Sequence, residues 1–465
     1  MLILAVAATL PFANGRWTVA AIAILSPLLL LRLTRSHRRG LLIGWALFTA
    51  GWVIQWWAII NLPRAWFALV ALGCGSAGFL PYVADRIASP RLRGLAATLM
   101  FPAAQAAGEY VLATLTPNGS WGALGYTQYG NLPLMQLASI TGVYGLSFLI
   151  AWAASTANFI WEHRQWPPAM LRAAAAFACT LIVTLAFGGL RLAFAPQAAT
   201  TLRIATVAPM QDRAQDPSQR DVALDDLFAR SSQQAAAGAS VILWPEESFF
   251  TFKSDESAVL DRARAFARDH HVYLGAAYGA RLAPDTAKLE NKQVLITPGG
   301  EIAWEYLKNH PVPGLELVNV TPGHDGIARY AATDARFAGA ICYDGDFPGL
   351  FHDAGRFGAE VLLLPAFDWR AIDPIHSHMA VFRAIEQGAS LVRPVMNGLS
   401  IATNPYGEVL ATSDWFSSND RAMSASVPVQ HVATIYSLVG DLFAWLCMAG
   451  FAALTLHAMR WKRST

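Results

Sequence analysis

Apolar runs crowd the first 195 residues of this chain and return near its end, with a polar stretch from about 200 to 430 between them. A helix that crosses a bilayer needs about 20 consecutive, mostly apolar residues, because hydrocarbon offers no water to unpaired backbone groups. Segments of that kind lie near residues 2–12, 17–33, 41–60, 65–85, 94–115, 134–160 and 173–194, and again near 434–458. The first is short. It lacks the basic start of a signal peptide and reads as a brief span or one arm of a re-entrant hairpin. Only 14% of the 465 residues are charged, against about 25% in a soluble domain. The expectation is a multi-span α-helical membrane domain over 1–195 with about seven spans, a polar domain over 200–430, and a final membrane helix over 434–459.

The connecting loops orient this map. Arg35, Arg38 and Arg39 follow the second span; Arg86, Arg91 and Arg93 follow the fourth. Arg164 and Arg172 follow the sixth, and Arg460, Lys462 and Arg463 follow the last. Asn61-Leu62-Pro63-Arg64 carries one charge, and the stretch from Thr116 to Pro133 carries none. Cationic loops therefore alternate with neutral ones, as the preference for cytoplasmic Lys and Arg requires. Both termini are then cytoplasmic and the polar insert is extracytoplasmic. Glu109 and Asp441 fall in apolar segments, where a carboxylate is costly; a packing or headgroup-level role is favoured over chemistry for both.

Within the insert, short β-rich runs alternate with helical patterns. Strands are expected at 202–207, 241–244, 272–274, 294–297, 338–342, 361–364 and 391–395, and helices at 222–237, 258–268 and 375–387. Nearly continuous apolar strands between helices imply an α/β layered domain with both sheet faces covered. Such folds gather reactive groups at strand ends. Three ionisable residues sit there: Glu246 after Val241-Ile242-Leu243-Trp244-Pro245, Lys308 in Tyr306-Leu307-Lys308-Asn309-His310, and Cys342 in Ala340-Ile341-Cys342-Tyr343-Asp344.

Singly, each reads as packing or surface. Together they can build a covalent acyl-transfer site. A thiol is a poor nucleophile until it loses its proton. A buried carboxylate can take that proton, and an ammonium with a backbone N–H can hold the oxyanion that follows attack on a carbonyl. Glu246, Cys342 and Lys308 fit base, nucleophile and oxyanion donor. Cys74, Cys179 and Cys447 fall in apolar segments, so Cys342 has no disulfide partner within the insert. His376 and His378 are two apart at a helix start, but no third metal ligand is evident, and a capped or solvated helix end is the expectation. No metal or cofactor is implied. No basic stripe with interleaved aromatics points to nucleic acid.

These motifs resemble the nitrilase, or carbon-nitrogen hydrolase, superfamily at Trp244-Pro245-Glu246, Tyr306-Leu307-Lys308 and Ile341-Cys342-Tyr343-Asp344. More narrowly, the chain resembles the membrane-embedded branch, the apolipoprotein N-acyltransferase family, over almost its whole length. Trp121 to Gln128 looks like that family's loop before Gly142 to Phe148. Lys308 to Pro313 with Glu316 is similar to its lysine motif. Phe382 to Glu386, Asn404 to Gly407 and Tyr436 to Phe443 also fit. The resemblance implies a nitrilase-type αββα sandwich for the insert. It implies that Cys342 takes an acyl chain from a membrane phospholipid and passes it to the N-terminal amine of a diacylglyceryl apolipoprotein, in a bacterial inner membrane with the catalytic domain periplasmic. Glu316 would support the trio, and Tyr343 and Asp344 would shape the site.

Three departures from the family pattern stand out. Asp344 replaces a glutamate, Pro311 and Gly314-Leu315 alter the lysine motif, and Ala366-Phe367-Asp368-Trp369-Arg370 replaces Ser-Asn-Asp-x-Trp-Phe. They fall where the acyl chain or the acceptor is expected to be held. An alternative keeps the trio but changes the acceptor: a membrane-bound amidase, or an acyltransferase for another amine. A binding module without activity is the weakest reading, because all three residues are intact. Segments after Asp212 and after Trp369 are the candidate lids.

Overall fold

The structure is a computed structural model, and it describes residues 1–60, 62–163, 167–210 and 217–460. Asn61, Arg164, Asp212, Lys462 and Arg463, which entered the topology and lid expectations, lie outside them. The chain divides into two compact units, Met1–Ala195 with Val439–Thr465, and Pro196–Leu438.

The first unit is helical: α1 (Leu2–Thr9), α2 (Ala20–Ser36), α3 (Gly40–Trp56), α4 (Arg64–Ala88), α5 (Leu95–Leu115), α6 (Leu132–Met135), α7 (Ala138–Thr141), α8 (Val143–Glu162), α9 (Pro168–Ala193) and a C-terminal helix, Leu442–Arg460. Among the described residues, four stretches are long and apolar enough to cross a membrane: Arg64–Arg91, Val143–Glu162, Pro168–Ala193 and Leu442–Arg460. The others expected as spans depart for local reasons. α1 and α3 are short. α2 stops at 17 residues and holds Pro27. α5 carries Gln105 and Glu109 among many alanines. The run at 134–160 is no single helix, because Gly142 adopts φ +65° and separates α7 from α8. The last apolar run starts late for the same reason: Gly440, at φ +61°, precedes the helix at Leu442.

Helix α8 is 78% buried over its apolar window, against 17% for α9 and for the C-terminal helix. It is the hub of the unit, while those two turn most of their surface outward. Small residues on α8 (Ser147, Ala151, Ala154) and on α5 (Ala103, Ala104, Ala107) are buried, which lets helices approach closely without a hydrophobic driving force. Arg35, read from sequence as a loop charge, sits in α2 with its side chain 7% exposed. It donates to both carboxylate oxygens of Asp85 at 2.7 and 2.6 Å and to Glu162 at 2.8 Å, tying α2 to α4 and α8. Glu109 accepts from Gln105 at 2.9 Å and from the Leu124 N–H at 3.0 Å, so its carboxylate pins the loop after α5. Asp441 lies immediately before the C-terminal helix, where a carboxylate suits the positive end of the helix dipole.

The second unit is layered. Strands β1 (Thr201–Val207), β2 (Val241–Leu243), β3 (Phe250–Phe252), β4 (Tyr273–Arg281), β5 (Leu289–Ile296) and β6 (Ile302–Leu307) join the chain's last strand, Ala422–Pro428, in a seven-stranded sheet. In it β1, β2 and β4 run parallel, and β4, β5 and β6 form antiparallel hairpins. A six-stranded sheet holds β7 (Ala328–Ala331), β8 (Arg336–Gly339), β9 (Val361–Leu363), β11 (Ser390–Arg393), β13 (Leu399–Thr403) and β14 (Val409–Asp414). The short β10 (Ala366–Phe367) pairs with β12 (Val395–Met396).

The sheets meet face to face. Tyr273 packs on Phe337 at 5.3 Å, and Gln293 Nε2 donates to the Leu363 carbonyl. On the outer face of the first sheet, α10 (Arg220–Ala236) and α11 (Glu256–His270) bury Leu224, Leu227, Val259 and Phe266 against Ile242, Leu274 and Val294. α12 (Pro348–Phe357) and α13 (Ile375–Gln387) belong to the second sheet, and α13 is buried along most of its length. This is the αββα order. The strands expected from sequence are present, most of them longer or shorter at one end. The hairpin and edge strands β3, β6, β7, β13 and β14 lack a sufficient apolar run and were not anticipated. The expected strand through Cys342 stops at Gly339.

One glycine is required by both backbone and space. Gly388 ends α13 at φ +65°, and a Cβ there would sit 1.7 Å from the Val432 carbonyl oxygen. The left-handed conformation alone costs a non-glycine residue about 1–2 kcal/mol. Gly388→Ala is expected to lower the urea midpoint of the full chain by more than that strain alone implies. An unchanged midpoint would show that the 388–432 contact yields freely.

Candidate active site

The residues singled out from the sequence converge on one buried cluster. Trp244 leads out of β2, fully buried, with its indole N–H on Ser231 and its ring against Phe228. That anchor fixes Pro245 and Glu246. Glu246 is 1% exposed. Its Oε1 accepts from Lys308 Nζ at 2.8 Å and from Asn291 Nδ2 at 2.7 Å. Its Oε2 accepts from the Phe367 N–H at 2.6 Å. Glu247 follows at φ +52°, a left-handed residue of the kind that clusters at functional sites.

Lys308 directly follows β6 and is fully buried. The β5–β6 hairpin holds it: its N–H donates to the Asn291 carbonyl at 2.9 Å, and its own carbonyl accepts from Gly323 at 2.8 Å. Nζ also reaches Glu316 Oε2 at 2.6 Å, and that oxygen accepts from the Val312 N–H as well. One ammonium thus lies between two carboxylates. Burial opposes its charge, but Glu246, Glu316 and Cys342 together hold Lys308 well above the ordinary lysine range. Burial, opposed by Lys308 and reinforced by Glu246, holds Glu316 above the usual carboxylate range.

Cys342 opens a 3-10 turn, Cys342–Asp346, at φ +48°, and its N–H donates to the Pro365 carbonyl at 2.8 Å. Its sulfur lies 3.8 Å from the Phe367 carbonyl oxygen. The Phe367 backbone therefore touches the thiol through its C=O and Glu246 through its N–H. Burial first, then Glu246, push the Cys342 thiol well above its ordinary value against the pull of Lys308. Both effects disfavour a standing thiolate at Cys342.

Asp344 ties the two halves together. Its Oδ1 accepts from the His310 N–H and lies 2.8 Å from His310 Nδ1. Its Oδ2 accepts from Tyr306 Oη at 2.8 Å, the Ile341 N–H at 3.1 Å and the Asn309 N–H at 3.4 Å. This carboxylate stitches the Lys308 segment to the Cys342 turn, and the His310 ring stacks on Phe347 at 3.6 Å. Tyr343 packs edge-on against Phe347, and burial pushes its hydroxyl well up.

One sequence expectation is corrected. His376 is no solvated helix end: it is 3% exposed, with Nδ1 2.7 Å from Asp368 and Nε2 3.1 Å from Asp346. Only His378 keeps partial exposure, and burial pushes it down to about 4. Asp368, in the segment expected near the substrate, lies beside Cys342, buried and ion-paired with Arg393. Donor atoms of Cys342, Asp368 and His376 lie within 4.8 Å of one another. The Arg393 guanidinium already contacts both Asp368 and His376 Nδ1, so a cation fills that side of the trio and the donor set does not suit a metal. Asn291 and the Phe367 peptide escaped the sequence reading. The polar run Glu290-Asn291-Lys292-Gln293 inside a strand was the available signal, because Asn291, Lys292 and Gln293 are all buried.

Residues 197–435 match the carbon-nitrogen hydrolase family, and residues 4–156 match the apolipoprotein N-acyltransferase N-terminal domain. An apolipoprotein N-acyltransferase of Geobacter metallireducens is 31% identical over 404 residues, covering 80% of this chain and 76% of the relative. The chain belongs to the apolipoprotein N-acyltransferase family, within the carbon-nitrogen hydrolases. The Rhodopseudomonas palustris apolipoprotein N-acyltransferase is 27% identical over 461 residues, covering 90% and 83% of the two chains. Among solved structures, an amidase from Nesterenkonia sp. is similar at 23% identity and TM-score 0.41, over 50% of this chain and 92% of the amidase. The protein is therefore an enzyme of acyltransferase type and a membrane protein.

Two outcomes follow. Glu246→Gln removes the carboxylate expected to take the thiol proton, so Cys342 is expected to alkylate more slowly with iodoacetamide at pH 8 than in the parent, as read by peptide mass spectrometry. Alkylation as fast as in the parent would show that Glu246 does not assist loss of that proton. Asp344→Ala strands the Ile341 and His310 N–H groups without an acceptor. It is expected to cost about 3 kcal/mol or more, measured by denaturant unfolding of the full chain.

Proposed function

We propose that this enzyme moves an acyl chain from a membrane phospholipid to the N-terminal amine of a diacylglyceryl-cysteine lipoprotein, through a thioester on Cys342. The observation that carries the reading is the single ammonium of Lys308 held between Glu246 and Glu316, with the Phe367 peptide linking Glu246 to the Cys342 sulfur, in a member of this family.

In the first half-reaction Glu246 takes the thiol proton as sulfur attacks the ester carbonyl. Lys308 and a backbone N–H of the Cys342 turn meet the oxyanion. The C–O bond breaks, Glu246 returns the proton to the leaving oxygen, and a lysophospholipid departs. In the second half the lipoprotein amine attacks the thioester. Glu246 accepts the amine proton and passes it to the departing sulfur. Glu316 keeps Lys308 aimed, and Asp344 keeps Lys308 and Cys342 in register.

The alternation of cationic and neutral loops supports a bacterial inner membrane protein with cytoplasmic termini. The membrane part is residues 1–195 with 434–459, and the catalytic domain, 200–430, is periplasmic. Both substrates carry chains that stay in lipid, which suits a catalytic domain joined to membrane helices.

The test is expression in cells depleted of their own lipoprotein N-acyltransferase, with lipoprotein N-termini read by mass spectrometry. N-acylated termini are expected from the parent and none from Cys342→Ala. Absent N-acylation with folded parent protein would sink the reading. An acyl thioester trapped on Cys342 without transfer to lipoprotein would point to a different amine acceptor. Full activity in Cys342→Ala would remove the nucleophile assignment.

A further inference from the structure

The proposed chemistry leaves one buried charged cluster unused. Asp368, His376, Arg393 and Asp346 are each at most 3% exposed. Arg393 donates to Asp368 Oδ2 at 3.1 Å and Oδ1 at 3.2 Å, and to Ser377 Oγ at 2.9 Å. His376 Nδ1 lies 2.7 Å from the Asp368 carboxylate and 2.8 Å from Arg393 Nη2. Those neighbours make opposite demands on one nitrogen. With a proton, Nδ1 donates to Asp368. Without one, its lone pair faces a carboxylate oxygen and can only accept from Arg393. Nε2 adds a second carboxylate, Asp346 Oδ2, at 3.1 Å.

The groups facing the ring are Asp368 at the end of β10, Asp346 in the Cys342 turn, Arg393 on β11 and the Cys342 sulfur. A protonated ring gives two cations and two carboxylates. A neutral ring leaves one uncompensated negative charge, with the sulfur within 4.8 Å of the ring and of Asp368. Burial pulls His376 down, but Asp368 and then Asp346 carry it above the ordinary histidine value. The lever is short. Asp368 directly follows Phe367, whose N–H bonds Glu246 at 2.6 Å and whose carbonyl lies 3.8 Å from the sulfur.

We propose that Asp368, His376, Arg393 and Asp346 form a proton-responsive positioning cluster, in which protonated His376 holds the Phe367 peptide in register with Cys342 and Glu246. His376 is a positioning residue, acting through Asp368 and Phe367. The inference rests on Cys342 being the nucleophile. The rate of Cys342 acylation should then fall as pH rises through the His376 titration.

The test uses the full chain in detergent with phospholipid as acyl donor. Single-turnover acylation of Cys342 is followed against pH, beside substrate-free iodoacetamide alkylation of the same cysteine. Asp346→Asn removes one of the carboxylates that favour the charged ring. The alkaline limb of acylation should move to lower pH by about one unit or more, with KM within about twofold. His376→Gln cannot titrate, so that limb should vanish while the maximal rate drops about tenfold. Profiles of Asp346→Asn and His376→Gln that superimpose on the parent would overturn the proposal, as would a loss confined to KM. Should His376→Gln not fold, Asp346→Asn decides alone. Failure of the nucleophile assignment is seen separately, as acylation that survives in Cys342→Ala.

Discussion

Everything in the catalytic unit is arranged around one ammonium that has no water to lean on. Lys308 is fully buried, and it stays charged because Glu246 and Glu316 lie at 2.8 and 2.6 Å. Removing one partner of such a group leaves a buried charge uncompensated, at a cost of about 3–5 kcal/mol. Two carboxylates on one cation also leave the trio with an excess negative charge. Burial first, then the Glu246 charge, disfavours a standing thiolate at Cys342. In the proposed reaction the thiol proton therefore leaves in step with attack.

Geometry is delivered by backbone rather than by long side chains. The β5–β6 hairpin sets Lys308 beside Asn291, and Asn291 completes Glu246. Asp344 accepts from both sides of the site and fixes the distance between the lysine segment and the nucleophile turn. The left-handed residues Glu247 and Cys342 are strained positions that the surrounding bonds over-determine. The Phe367 backbone then contacts thiol and carboxylate at once. A buried ion cluster stands behind it, and through it the protonation of His376 bears on the nucleophile.

The membrane unit follows a different economy. Helix α8 is enclosed while α9 and the C-terminal helix turn outward, and small residues let the central helices approach. Charged groups are few and committed: Arg35 bridges Asp85 and Glu162, and Glu109 pins a loop. Among the described residues four stretches are long and apolar enough to cross a membrane, and glycines with positive φ or short helices divide other apolar runs. Hydropathy measures composition. It does not register where the backbone must turn.

The three candidate residues that meet in the buried cluster were legible because each sits near the end of an apolar strand with a marked neighbourhood: Trp244-Pro245-Glu246, Leu307-Lys308-Asn309 and Ile341-Cys342-Tyr343. The alternation of strands and helices likewise predicted a layered α/β unit, since burial on both faces demands continuous apolar strands. Asn291, the Phe367 peptide and the role of Asp344 were not legible, because their partners are distant in sequence and their value lies in which atoms they face. His376 was misread for the same reason: two histidines at a helix start carry no sign of depth. Local pattern along the chain determined the layering, the apolar helices and which three residues became candidates. Only the tertiary structure decided which charges share a cavity, because burial and pairing are properties of residues brought together from far apart.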